Sequence, residues 1–211
     1  MIRLSKSSIG PLEKEYVMSV LDKEYLGMGA EVGKFEAELT EYFGRPAVCV
    51  ANGTAALQLA IQALHIGPGD EVLVPSLTYV ASYQAITANG ATAVPVDLNP
   101  ATLLIDIKDI EKKITANTKA IMPVHYASNT KDLDAIYSLA EARGLRVIED
   151  AAQSMGSTHH GKKVGSFGDV ACFSFDGIKN MTSGEGGCVV SSDPEVIQRV
   201  SDLRLGIGIC F

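Results

Sequence analysis

Short apolar runs rich in β-branched residues recur along this chain, separated by stretches with helical spacing, and that alternation constrains the fold more than any other feature. The runs are Ala47 to Ala51, Glu71 to Pro75, Ala93 to Val96, Ala120 to Val124, Arg146 to Ile148, Val170 to Phe175 and Gly187 to Ser191, seven candidate strands. The first five are nearly continuous in apolar character, as in strands covered by helices on both faces of a largely parallel sheet. The last two read as a hairpin-like edge. Between the runs, Thr54 to Leu64 is apolar almost all round and predicts a buried helix, whereas Asp106 to Ile114 and Thr130 to Arg143 each carry one polar face. Ahead of them, Pro11 to Leu21 and Ala30 to Tyr42 predict helices separated by the glycine-marked turn Leu26-Gly27-Met28-Gly29. Pro194 to Leu205 predicts a last helix, after which Gly206 to Phe211 reads as an atypical tail. Strand and helix in this order predict a doubly wound α/β sheet, in which ligands sit beyond the carboxyl ends of the strands.

Composition narrows the setting. At 211 residues and 46% hydrophobic content the chain can bury a full α/β core. No apolar run approaches the roughly 20 residues of a membrane span, and Met1 to Gly10 lacks the blocks of a secretory signal, so a cytoplasmic location is expected. A net charge of −7 with scattered Lys and Arg argues against a nucleic-acid or anionic-membrane partner, since both need a concentrated basic face. Cys49, Cys172, Cys188 and Cys210 show no metal-ligand spacing and read as reduced core thiols. His159 and His160 lie in a polar loop with no partner at ligand spacing, so a solvated turn, and no metal, is expected there.

Four places beyond strand ends could do chemistry. Asn52-Gly53-Thr54-Ala55-Ala56 opens a helix after the first strand, so its free N–H groups and the Thr54 hydroxyl could hold a phosphate; alternatively Thr54 is an N-cap and Gly53 a tight turn. Asp150, in Glu149-Asp150-Ala151-Ala152-Gln153, could keep a pyridine nitrogen protonated, or could cap the following turn. Lys179 sits in a loop of small residues between Phe173-Ser174-Phe175-Asp176 and Thr182-Ser183-Gly184-Glu185-Gly186-Gly187, as a Schiff-base lysine or as an exposed hairpin lysine. Tyr79 could stack on a flat ring or pack in the core. A phosphate cup, an acid, an aromatic and a lysine falling at the ends of one sheet together describe a pocket for pyridoxal phosphate (PLP).

These motifs, with Tyr25-Leu26-Gly27-Met28-Gly29, Pro68-Gly69-Asp70-Glu71-Val72 and Pro123-Val124-His125, resemble the DegT/DnrJ/EryC1/StrS sugar aminotransferases over about Ser8 to Arg204. The resemblance implies an aspartate-aminotransferase-like PLP large domain of fold type I, an α/β three-layer sandwich with a mostly parallel seven-stranded sheet. The domain is expected over residues 26–205, preceded by an N-terminal helical segment, 1–25, and followed by the tail, 206–211. By resemblance, Lys179 carries the cofactor and acts in catalysis, Asp150 pairs with the pyridine nitrogen, and Gln153 bonds the phenolic oxygen. Thr54 and Ser174, with the Gly53 and Ala55 backbone, hold the phosphate, and Tyr79 and Ala152 flank the ring.

The implied reaction transfers an amino group from glutamate to a nucleotide-linked keto sugar, in polysaccharide or amino-sugar biosynthesis, by a homodimer. Relatives that dehydrate sugars carry histidine in place of the lysine, so Lys179 favours aminotransfer. His125 is followed by Tyr126-Ala127-Ser128-Asn129, where the family more often has leucine, tyrosine and glycine. The family also has a C-terminal small domain that this sequence lacks, which leaves an inactive truncated fragment or pseudoenzyme as the rival reading. A dinucleotide-binding oxidoreductase is disfavoured because no G-x-G-x-x-G opens the helix after the first strand.

Overall fold

The computed structural model describes residues 5–209. In chain order the elements are α1 (Pro11–Asp22), α2 (Ala30–Phe43), β1 (Ala47–Val50), α3 (Gly53–Ala63), β2 (Glu71–Pro75), α4 (Val80–Ala88), β3 (Thr92–Val96), α5 (Ile107–Lys113) and β4 (Thr118–Ile121). There follow a 3-10 turn (Tyr126–Ser128), α6 (Leu133–Arg143), β5 (Arg146–Asp150), β6 (Thr158–His159), β7 (Lys162–Lys163), β8 (Val170–Ser174), β9 (Gly187–Ser191) and α7 (Pro194–Ile209).

Seven strands form one sheet in the order β1-β9-β8-β5-β4-β2-β3, and all seven are the runs read from the sequence. Strands β3, β2, β4, β5 and β8 pair in parallel, while β9 runs antiparallel between β8 and β1. The expected hairpin-like edge is therefore corrected: β8 and β9 pair antiparallel but lie inside the sheet, where a fully buried β9 is bonded on both sides. The edges are β1 and β3, and β3 leaves Thr92 and Pro95 exposed, a place where a residue without an N–H is tolerated.

Side chains alternate between two helical layers, as the period of two along a strand requires. Val72, Val74, Ile148, Val170, Cys172 and Val189 face α3, α4 and α7 through Leu59, Ala60, Ile86, Val196 and Val200. On the other face, Leu73, Ile121 and Val147 meet α5 and α6 through Ile110, Leu133 and Ile136. Ala171, Phe173, Cys188 and Val190 meet α2 through Leu39 and Phe43. The architecture is thus the expected three-layer α/β sandwich.

Other departures have local causes. No helix was read at Val80–Ala88, a stretch without a clear polar face, yet the parallel pair β2–β3 requires a crossover, and α4 supplies it. Helix α7 continues through Gly206 and Gly208 to Ile209 instead of ending at Leu205, since glycine weakens a helix without forbidding it. Cys210 and Phe211 of the anticipated tail lie outside the described residues. Cys49, Cys172 and Cys188 are free thiols, and burial pushes the Cys49 thiol up to about 12.

Buried Arg45, just before β1, fixes the turn leading into β8: its guanidinium donates to the carbonyls of Gly165 at 3.1 Å, Phe167, Gly168 at 3.0 Å and Asp169 at 2.9 Å, and to Ser192 Oγ at 2.7 Å. Arg45→Ala strands those acceptors and is expected to cost about 2–4 kcal/mol of stability, read from the denaturant midpoint. An unchanged midpoint would show that water replaces the guanidinium.

Candidate active site

The carboxyl ends of β1, β2, β5 and β8 open onto one cavity of about 460 Å³. Gly53, Thr54, Tyr79, Asp150, Ala152, Gln153, Ser174 and Lys179 all line it. Eight of the nine residues singled out from the sequence thus meet in one place, although they come from five separate segments of the chain. The ninth, Ala55, does not line the cavity; its N–H donates to Asn52 Oδ1 at 2.8 Å.

That hydrogen bond settles the alternative at the start of α3. Asn52 is the N-cap, Thr54 is not, and the Thr54 hydroxyl is left for the cavity. The first N–H groups of α3, those of Gly53 and Thr54, have no intrahelical acceptor and carry the positive end of the helix dipole. A Cβ on Gly53 would stand 2.8 Å from the Ser174 Cβ, so only glycine lets β8 approach this helix start. Tyr79 is the N-cap of α4 and is 75% exposed at the cavity, not packed in the core. Gln153 accepts from the Ala127 N–H through Oε1 at 2.9 Å, which leaves its amide NH2 as a donor. Half-buried Lys179 is carried by a turn in which Asp176 accepts, through its side chain, the Ile178 N–H at 3.0 Å.

Asp150 ends β5 with 6% of its surface exposed. One carboxylate oxygen accepts from Ser82 Oγ at 2.7 Å, and Ser82 is bonded in turn to Thr78 Oγ1 at 2.7 Å; the other accepts from the Ala152 N–H at 3.2 Å. The turn-capping and cavity-facing readings of Asp150 both hold. Burial pushes its carboxyl above the usual range, opposed by the Ser82 and Ala152 hydrogen bonds and by the charges of His125 and Lys179.

The sequence reading gave no role to the groups behind this acid. Glu149 points to the opposite face of β5, fully buried, and accepts from the Tyr137 hydroxyl on α6. His125 Nε2 lies 3.1 Å from Glu149 Oε2, an ion-pair distance out of line for a hydrogen bond, while its Nδ1 is bonded to Ser154 Oγ at 3.1 Å. Ser82 had no signal, because it sits in the helix that was not anticipated. Glu149 had one: two consecutive acids at the end of a buried strand must face opposite layers, and each then needs a partner.

Comparison with known proteins places these features. The fold matches that of S. venezuelae DesV, solved in complex with a ketimine intermediate, with a TM-score of 0.88 at 44% identity, over 92% of this chain and 53% of that one. It also matches the putative sugar aminotransferase Spr1654 of Streptococcus pneumoniae, in its PMP form, with a TM-score of 0.91 at 32% identity, over 96% of this chain and 56% of that one. Residues 7–208 match the model of the DegT/DnrJ/EryC1/StrS aminotransferase family, and the chain belongs to that family. Among curated relatives, the GDP-perosamine synthase of Caulobacter vibrioides is 45% identical over 194 residues, covering 91% of this chain and 52% of the relative. The chain therefore spans about half the length of such relatives. Among the described residues no helix is long and apolar enough to cross a membrane.

Proposed function

We propose that this chain is the cofactor-binding part of a PLP-dependent aminotransferase that moves an amino group from glutamate to a nucleotide-linked keto sugar. The observation that carries the proposal is that the Lys179 amine and the buried Asp150 carboxylate belong to the same cavity, with a helix start between β1 and β8 beside them. The residues fit the group. The glycine-dependent approach of Gly53 to Ser174 makes a phosphate cup, served by two free N–H groups and the hydroxyls of Thr54 and Ser174. Asp150 would pair with the pyridine nitrogen, the Gln153 NH2 would donate to the phenolic oxygen, and Tyr79 and Ala152 would flank the ring. Bound there, PLP supplies an electron sink for the substrate α-carbon. Lys179 would hold the cofactor covalently through its amine and, when free, would take the proton from the substrate α-carbon as base and give it back as acid.

The proposal extends to a homodimer working in the cytoplasm, a setting in keeping with three free thiols. The name of the Caulobacter relative makes GDP-linked keto sugars the first acceptors to try. The test is stepwise. PLP-loaded protein given glutamate alone should release 2-oxoglutarate in stoichiometric amount, and adding a keto-sugar nucleotide should make the release catalytic. Failure to retain PLP would overturn the proposal. Gly53→Ala, which drives a methyl into Ser174, is expected to weaken PLP binding about tenfold or more in an equilibrium titration, roughly 1.4 kcal/mol.

A further inference from the structure

The geometry points to a surface site for a divalent ion of the zinc class, formed by Asp134, His159 and His160 and separate from the PLP cavity. One ligand atom from each of the three lies within 4.8 Å of the others. His159 Nε2 is 3.0 Å from Asp134 Oδ1, and His160 Nε2 is 2.6 Å from Asp134 Oδ2. Edges of about 3.3 Å are what Zn–N and Zn–O bonds of ~2.0–2.1 Å give in a tetrahedron, so small rotations of exposed side chains bring the three onto one ion. The sequence reading of a solvated turn without a ligand partner missed this because Asp134 enters from α6, 25 residues away.

Two structural features turn adjacent histidines, which would diverge in an extended strand, toward one point. The segment is not a loop but the β6–β7 hairpin, with Thr158 opposite Lys163 and His159 opposite Lys162. Its two-residue turn, His160-Gly161, has φ of 48° and 75°, the type I′ form that tight hairpins favour. The two imidazole rings lie 4.2 Å apart. The His159 ring is also anchored: its Nδ1 is 3.3 Å from Thr130 Oγ1, so an Nδ1–H donated there fixes the tautomer that leaves the Nε2 lone pair for a metal. Only 10% of the His159 side chain is exposed, against 72% for His160 and 66% for Asp134, so one ligand is preset and two close over the ion. The neighbouring cation Lys163 is turned away, donating to the Tyr42 carbonyl at 3.0 Å and lying over the Tyr42 ring.

Two imidazoles and one carboxylate suit zinc and its late transition-metal neighbours, and are poor ligands for magnesium or calcium, which prefer all-oxygen sets. Three protein ligands leave a fourth position for water, and the bound ion would tie the hairpin to α6.

The test is calorimetric titration of Zn²⁺ into untagged PLP-loaded protein. One ion per chain is expected, with no heat from Mg²⁺ at the same concentration. Asp134→Asn and His159→Ala should each weaken binding at least about tenfold, and Thr130→Val, which removes only the anchor, should weaken it roughly tenfold. His160→Asn keeps a side chain that tolerates positive φ and guards against a merely misfolded hairpin; it too should weaken binding. A melting temperature raised by Zn²⁺ in the parent and not in these variants would support the site. Zn²⁺ uptake unchanged in all four variants, no uptake, or equal uptake of Mg²⁺ would overturn it.

Discussion

Lys179→Ala is expected to abolish covalent capture of PLP and to reduce aminotransfer by ~10³-fold or more, because one amine is asked to act both as covalent anchor and as proton carrier. Borohydride treatment followed by mass analysis reads the first effect: the parent should gain a stable cofactor mass on the peptide containing Lys179, and the variant none. Release of 2-oxoglutarate from glutamate reads the second. The phosphate cup does not involve this side chain, so the variant should still bind PLP reversibly, and a residual titration with PLP would separate loss of the anchor from loss of the fold. A variant that still forms the reduced adduct at full yield would mean that another amine is the anchor, and the assignment of the cavity would fall with it.

Asp150→Asn is the second large effect. A buried carboxylate facing a pyridinium is a charge placed in advance in a site with little water, and its neutral isostere is expected to slow aminotransfer by ~10²–10³-fold. The same acid makes a stability prediction with a definite sign. Burial raises the Asp150 carboxyl in the folded protein above its unfolded value near about 3.9. Between the two values the folded state keeps a proton that the unfolded state has released. Stability from this group is therefore fully present below the unfolded value, falls as pH rises through the folded one, and is level above it. Burial sets the shift, and the Ser82 hydroxyl on α4, the Ala152 N–H and the charges of His125 and Lys179 oppose it. In the cofactor-free protein, Asp150→Asn should remove that slope from the melting temperature measured against pH. A slope identical in parent and variant would show that Asp150 stays ionised across the range.

The cavity is legible in the sequence to an unusual degree, and the reason is positional. In a doubly wound sheet the carboxyl ends of parallel strands lie on one side, so residues that follow them in sequence converge without further information. Thr54, Asp150 and Lys179 are each found this way, whereas Ser174 comes only from the family resemblance. Their bland alternatives were decided only by the structure: Asn52, not Thr54, caps α3, and Tyr79 stands exposed instead of in the core. The supports of Asp150 were illegible. Ser82 reaches it across 68 residues from a helix whose sequence has no clear periodicity, and His125 meets Glu149 through a strand connection that no local pattern encodes.

Local patterning alone determined the seven sheet strands, the helices other than α4, and their order, through the period of apolar residues and the glycines that mark the ends; α4 and the β6–β7 hairpin carried no such signal. Only the tertiary structure decided that β9 runs inside the sheet, that one carboxylate of the Glu149–Asp150 pair faces the cavity and the other a buried histidine, and that Asp134 meets His159 and His160. Those outcomes depend on which strands lie side by side. That choice minimises exposed apolar area over the whole chain at once, a sum that no single segment carries.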